Sequence, residues 1–209
     1  MMKLPSLLLL TLFPTLGFGG VAEPKLDKPK KLEKILEEAI DDSELESRAH
    51  NGELLVYIRV SQKPYTGWFK RMHASGALRF LCQYRNGKRH GLQINWHANG
   101  QKRREIHYAH GKRNGRWTEW RENGTKRHIY NYEGGKLHGT LTGWFENGQK
   151  CFENNYLNGR KQGPLTTWDS NGEIRYQGVY TDGLLQEKIK LSHSKKELYS
   201  LMPHTAQRP

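Results

Sequence analysis

The chain has 209 residues, with 34 Lys plus Arg against 21 Asp plus Glu, 35% hydrophobic residues, 22 Gly and 2 Cys, a basic and thinly apolar composition that does not suit one thick-cored domain. Two cysteines exclude a disulfide scaffold, and neither stands in a C-x-x-C pair that would point to zinc or thioredoxin chemistry. Much of the apolar surface comes instead from 6 Trp and 10 Tyr, as in a thin, repetitive architecture.

Residues 1–22, MMKLPSLLLLTLFPTLGFGGVA, combine a positive Lys3, an apolar stretch and small residues at Gly20 and Ala22. This pattern predicts a secretory signal peptide cleaved near Ala22 and a secreted or periplasmic protein. The alternative is an N-terminal membrane anchor, since the uncharged run is nearly long enough to span a bilayer. Residues 23–51 form a charged, proline-containing linker and then an amphipathic helix. Leu32, Ile35, Leu36, Ala39 and Ile40 supply its apolar stripe, and it is expected to end near His50-Asn51-Gly52. Residues 53–60, ELLVYIRV, read as a first strand.

From residue 52 to 183 the chain repeats every 24 residues. Trp96, Trp120, Trp144 and Trp168 keep that step, as do Tyr84, Tyr108, Tyr132, Tyr156 and Tyr180, with Asn-Gly at 99/100, 123/124, 147/148 and 171/172. Two turn signals per copy separate segments of strand length, so each copy is a β-hairpin. Three-residue loops at 98–100, 109–111 and 122–124 would place Trp96 opposite Lys102, Tyr108 opposite Lys112 and Arg104 opposite Arg116, with every Trp and Tyr on one face. Residues 184–209 are expected to form a short cap, with a helical signal after Ser194, and a frayed tail. Cys82 and Cys151, six strands apart, are expected to be free thiols.

The segments YRNGKRHG (84–91), YAHGKRNG (108–115), YEGGKLHG (132–139) and YLNGRKQG (156–163), with WHANGQK, WRENGTK and WFENGQK between them, resemble the MORN repeat in its bacterial variant, seen in the YwqK-type antitoxin family. KPYTGWF at 63–69 is similar to the usual entry into such an array. The resemblance implies an all-β, single-layer antiparallel β-hairpin repeat sheet that works as a scaffold or binding surface and has no catalytic residues.

The candidate binding surface is an aromatic and basic face made of Trp96, Trp120, Trp144, Trp168, Tyr84, Tyr108, Tyr132, Tyr156, Arg104, Arg116, Lys102 and Lys126. In this register the five strand acids, Glu105, Glu119, Glu153, Asp169 and Glu173, fall on the opposite face. The pairs of aromatic and cationic residues across the strands can equally serve as sheet stabilisers. No G-x-S-x-G elbow, P-loop or H-E-x-x-H motif occurs, and the ten His are scattered. Catalysis, a cofactor and a metal are therefore not expected. Residues 61–183 carry 21 basic and 9 acidic side chains, against 7 and 10 in residues 23–60, so the basic character belongs to the repeats. The expected function is that of an exported scaffold for a protein partner, with self-association along the array as a further option. The alternatives are a binder of anionic envelope polymer or of a membrane surface, and an antitoxin-like or immunity-like protein. Nucleic acid fits least, because no recognised nucleic-acid module is present.

Overall fold

The computed structural model describes residues 29–189. The expected leader lies outside these residues, as does the expected cap and tail from residue 190 on, whereas residues 184–189 form a further strand in place of a cap. Twelve strands form one antiparallel sheet, running in chain order from β3 (Gly67–Met72) at one edge to β14 (Leu184–Ile189) at the other. The sheet is the all-β hairpin meander that the 24-residue period predicts.

The N-terminal end departs from expectation. Helix α1 stops at Glu38, having started at Pro29, and residues 45–50 form a strand. Strand β1 (Leu45–His50) pairs with β2 (Glu53–Ile58) in a separate hairpin. Its turn, Asn51-Gly52, has both residues at positive φ (48° and 78°), the type I′ geometry that favours Asn-Gly. The helical stripe therefore ends with Leu36, Ala39 follows the helix, and Ile40 has another use: its N–H donates to Trp68 O (3.0 Å) and its carbonyl accepts from Lys70 N (2.9 Å). This short bridge covers part of the β3 edge, which would otherwise expose unpaired backbone groups.

The two N-terminal elements cover opposite faces. Ile35 of α1 and Ala39 just after it pack with Leu81, Trp68 and Trp96, whereas Leu45, Val56 and Ile58 of the hairpin pack with Phe69, Cys82 and Tyr84. The core is thus a three-layer end, and the rest of the sheet is a single layer. At the C-terminal end the repeat continues past Gly183 into β14, which pairs with β13 (Ile174–Thr181).

Two kinds of turn alternate. The Asn-Gly loops are three-residue loops as expected: Gly100 N donates to His97 O (3.1 Å) with Gly100 at φ 84°. Asn99, Asn123 and Asn147 each work twice. Asn99 Oδ1 accepts from Gln101 N (3.0 Å), while its Nδ2 donates to Glu122 O (2.8 Å) in the next repeat. The other turns have two residues, not three. His110 and Gly111 are both at positive φ (50° and 82°) between the paired Ala109 and Lys112, and Gly111 N donates back to Arg89 O (2.9 Å). Both ends of each hairpin are therefore bonded to a neighbouring copy.

These turns, together with a bulge in every copy, change the register. Between β5 (Lys88–Trp96) and β6 (Lys102–Ala109), Asn95 pairs with Arg104 but Trp96 with Lys102. Arg103 is the extra residue, and the alternation of sides reverses there. A second bulge falls at Gly115, at φ 99°. Across it the register moves from Tyr108↔Arg113 to Ile106↔Trp117. The carbonyl after each such glycine is met by a side chain at the 24-residue step: His107 Nδ1 donates to Arg116 O (2.8 Å), Asn131 to Thr140 O (2.6 Å) and Asn155 to Pro164 O (3.1 Å).

Candidate functional site

The register divides the twelve candidate residues between two faces. Tyr84, Tyr108, Tyr132, Tyr156 and Arg104 share the face that carries the N-terminal hairpin, here the tyrosine face. Trp96, Trp120, Trp144, Trp168, Lys102, Lys126 and Arg116 share the face that carries α1, here the tryptophan face. The single aromatic face is thus corrected, and its cause is the bulge at Arg103 and its equivalents. Of the expected pairs, Trp96–Lys102, Trp120–Lys126 and Trp144–Lys150 are present. Tyr108 faces Arg113 in place of Lys112 because the turn has two residues. Arg104 faces Glu119 rather than Arg116, which faces Asn131. The acids do not segregate either: Glu119 lies on the tyrosine face, and Glu105 and Glu153 on the other.

Each repeat serves as a control for the others. A side chain that the hairpin needs recurs at 24 residues, and one that departs from the series is free to do something else. On the tyrosine face, Arg89 lies over Tyr108 (5.4 Å), Arg113 over Tyr132 (5.3 Å) and Lys161 over Tyr180 (4.8 Å). These repeated pairs stabilise the sheet.

The middle of that face departs from the series. Trp117 on β7 (Lys112–Trp120) stands where other copies have Gln93, Leu141 and Leu165, and Tyr130 on β8 (Lys126–Glu133) where they have Ile106 and Asn154. The Trp117 ring stacks on Tyr130 at 4.7 Å and lies 5.9 Å from Tyr132, with the Arg113 guanidinium 4.5 Å above it. Beside this stack, Arg104 Nε donates to Glu119 Oε1 (2.7 Å) and His128 Nδ1 donates to Glu119 Oε2 (3.2 Å). Glu119 is only 9% exposed, so these two donors are what make its burial tolerable. Burial, reinforced by the negative Glu119 nearby, raises the Tyr130 hydroxyl above its ordinary pKa. The Trp117 Nε1–H is buried with no hydrogen-bond partner among the described residues.

Residues 89–110 and 137–158 match the family model of the MORN repeat variant. Two stretches of the repeat array are thus similar to the MORN repeat variant. MORN repeats are a non-catalytic repeat type that generally binds proteins or membranes. No curated protein matches the chain. Among the described residues no cluster of His, Cys, Asp and Glu is arranged to hold a metal, and no helix is long and apolar enough to cross a membrane.

Trp117, Tyr130, Arg113 and His128 were not among the candidates read from the sequence. Recurrence is the signal that the sequence offers: Trp117, Tyr130 and His128 are informative through their failure to recur, whereas Arg113 recurs as Arg89 and Lys161 and stands out only through the Trp117 ring beneath it.

Proposed function

We propose that the protein is an exported, non-catalytic MORN-type scaffold that binds a protein partner through the centre of its tyrosine face. The observation that carries this reading is the Trp117–Tyr130–Tyr132 stack beside the Arg104–Glu119–His128 network, a group that no other copy of the repeat contains. Large aromatics with an arginine are the residues that dominate protein interfaces. An aperiodic patch in a periodic sheet suits a partner with one shape rather than a repeating polymer. The fold does not need the patch, because neighbouring copies form the same hairpin without it.

The repeat itself supplies replacements that are compatible with the fold. Trp117→Leu copies positions 141 and 165, and Tyr130→Ile copies position 106. Capture of a partner from an envelope fraction is expected with the native protein and not with the double variant, while the circular dichroism of the two is the same. Because apolar burial leads, capture should survive high salt, which would strip a purely charge-driven ligand. Equal capture by both proteins would remove this reading.

A further inference from the structure

The sequence holds eight Asn-Gly pairs. In such a pair the asparagine amide is open to attack by the next backbone nitrogen, because glycine puts no side chain in the way. Attack requires that nitrogen to lose its proton, so an N–H held in a hydrogen bond must first open, the same condition that limits hydrogen exchange. The fold restrains seven of the eight pairs. In the three-residue loops, Gly100, Gly124, Gly148 and Gly172 N donate to His97, Arg121, Phe145 and Asp169 O at 3.0–3.2 Å. In two of the two-residue turns, Gly87 N donates to Tyr65 O (2.8 Å) and Gly159 N to Leu137 O (2.7 Å), both earlier in the array. Asn114, inside β7, is held through its Oδ1, which accepts from Gly134 N (3.1 Å).

Asn51-Gly52 is the exception. It turns the β1–β2 hairpin, which belongs to a separate two-stranded sheet and has no earlier copy against its turn among the described residues. Neither the Asn51 side chain nor the Gly52 N–H has a hydrogen-bond partner among the described residues. Both residues are exposed, and a Cβ added to Gly52 would meet nothing within 4 Å, whereas one on Gly87 would meet Val56 O at 2.9 Å.

We infer that Asn51-Gly52 is a spontaneous modification site, at which deamidation, with water as the only co-reactant, loosens the N-terminal hairpin. Deprotonated Gly52 N forms a bond to Asn51 Cγ, the bond from Cγ to the side-chain nitrogen breaks, and ammonia leaves a five-membered succinimide. Water then adds to either ring carbonyl, and ring opening gives aspartate or isoaspartate, with one negative charge gained. In the aspartate form the main chain is unchanged. In isoaspartate the main chain runs through the former side-chain Cβ and is one carbon longer, so the two-residue turn that holds His50 opposite Glu53 is lost. That hairpin packs on Cys82 and Tyr84, and its loosening exposes both. The site involves neither Trp117 nor its neighbours, so it stands or falls independently of the patch proposed above.

The full chain, aged at pH 8 and mapped by peptide mass spectrometry, provides the test. Asn51 is expected to convert at least about tenfold faster than the other seven, since theirs alone is gated by local opening. In the urea-unfolded chain all eight should convert at similar rates, because glycine follows each. Hydrogen exchange is a second measurement: Gly52 N–H should exchange as in an unfolded chain, and Gly87 and Gly159 N–H should be protected. Protein enriched in isoaspartate, counted with an isoaspartyl O-methyltransferase and labelled S-adenosylmethionine, should take up iodoacetamide at Cys82. Asn51→Asp, which keeps the main chain, should leave Cys82 closed. Asn51→Gly, which suits a type I′ turn and has no amide to lose, should keep Cys82 closed through the same ageing. The inference is overturned if another Asn-Gly pair converts first in the folded protein, if Gly52 N–H is protected, or if isoaspartate-enriched protein keeps Cys82 closed.

Discussion

Arg104 shows how far one residue of register can alter an energetic argument. Facing another arginine it would be a mild liability. Facing the buried Glu119 it is, with His128, a donor to that carboxylate. Arg104→Gln should therefore destabilise the fold by about 1–2 kcal/mol, seen as a lowered urea midpoint, and Arg116→Gln, on an exposed side chain facing Asn131, should change it little. The cysteines give a second test at this scale. Burial pushes the Cys82 thiol up to about 12 and raises Cys151 by less, Cys82 being buried and Cys151 half-buried. Iodoacetamide at pH 8 should label Cys151 and spare Cys82 until the protein unfolds. The unfolded thiol ionises near its ordinary 9.0 while the native one keeps its proton. Stability should be whole below pH 9 and fall from there towards about pH 12, and Cys82→Ala should shift that alkaline loss to higher pH.

Turns and bulges set the register of the strands, and they test differently from side-chain pairs. Gly111 at φ 82° has ordinary contact distance around an added Cβ, the nearest atom being 3.8 Å away, whereas a Cβ on Gly87 (φ 74°) would meet Val56 O at 2.9 Å. Gly111→Ala should cost about 1–2 kcal/mol for the left-handed backbone alone, and Gly87→Ala measurably more, because it also pushes the N-terminal hairpin off the sheet. Thermal melts of the two variants compare them directly. At this scale the limits of the sequence are physical. Asn-Gly loops, strand lengths and the 24-residue step are local and were legible. The bulge at Arg103 is not local: it exists because Trp96 and Lys102 pair across two strands while the next pair is Asn95 and Arg104. Period-two alternation within one strand carries no mark of it. Similarly, β1 was hidden by Leu45 and its charged neighbours, which turn to strand only when the hairpin meets Phe69 and Tyr84. The recurring aromatics were visible in the sequence, but the face each occupied was not.

The whole molecule is a line of copies, each bonded chiefly to its neighbours, so its stability should be close to a sum of repeat and interface contributions. Deleting residues 113–136, one full 24-residue step, should join equivalent positions and leave a sheet two strands shorter with the same circular dichroism per residue. Deleting 12 residues should not, because it joins an Asn-Gly loop strand to the wrong partner. The strand order also fixes how the molecule carries tension. With β3 and β14 at opposite edges, a pull on the two ends acts across the strands and opens hydrogen bonds one after another, in the manner of a zip, rather than shearing a whole row together. Because the turns at both ends of each hairpin are bonded to the next copy, those links should break with each hairpin, releasing 24 residues, or roughly 80 Å of chain, at a time. Force spectroscopy should show a low, regular sawtooth. Such a molecule lengthens in even steps under load and would act as an extensible tether between whatever is held at its two ends.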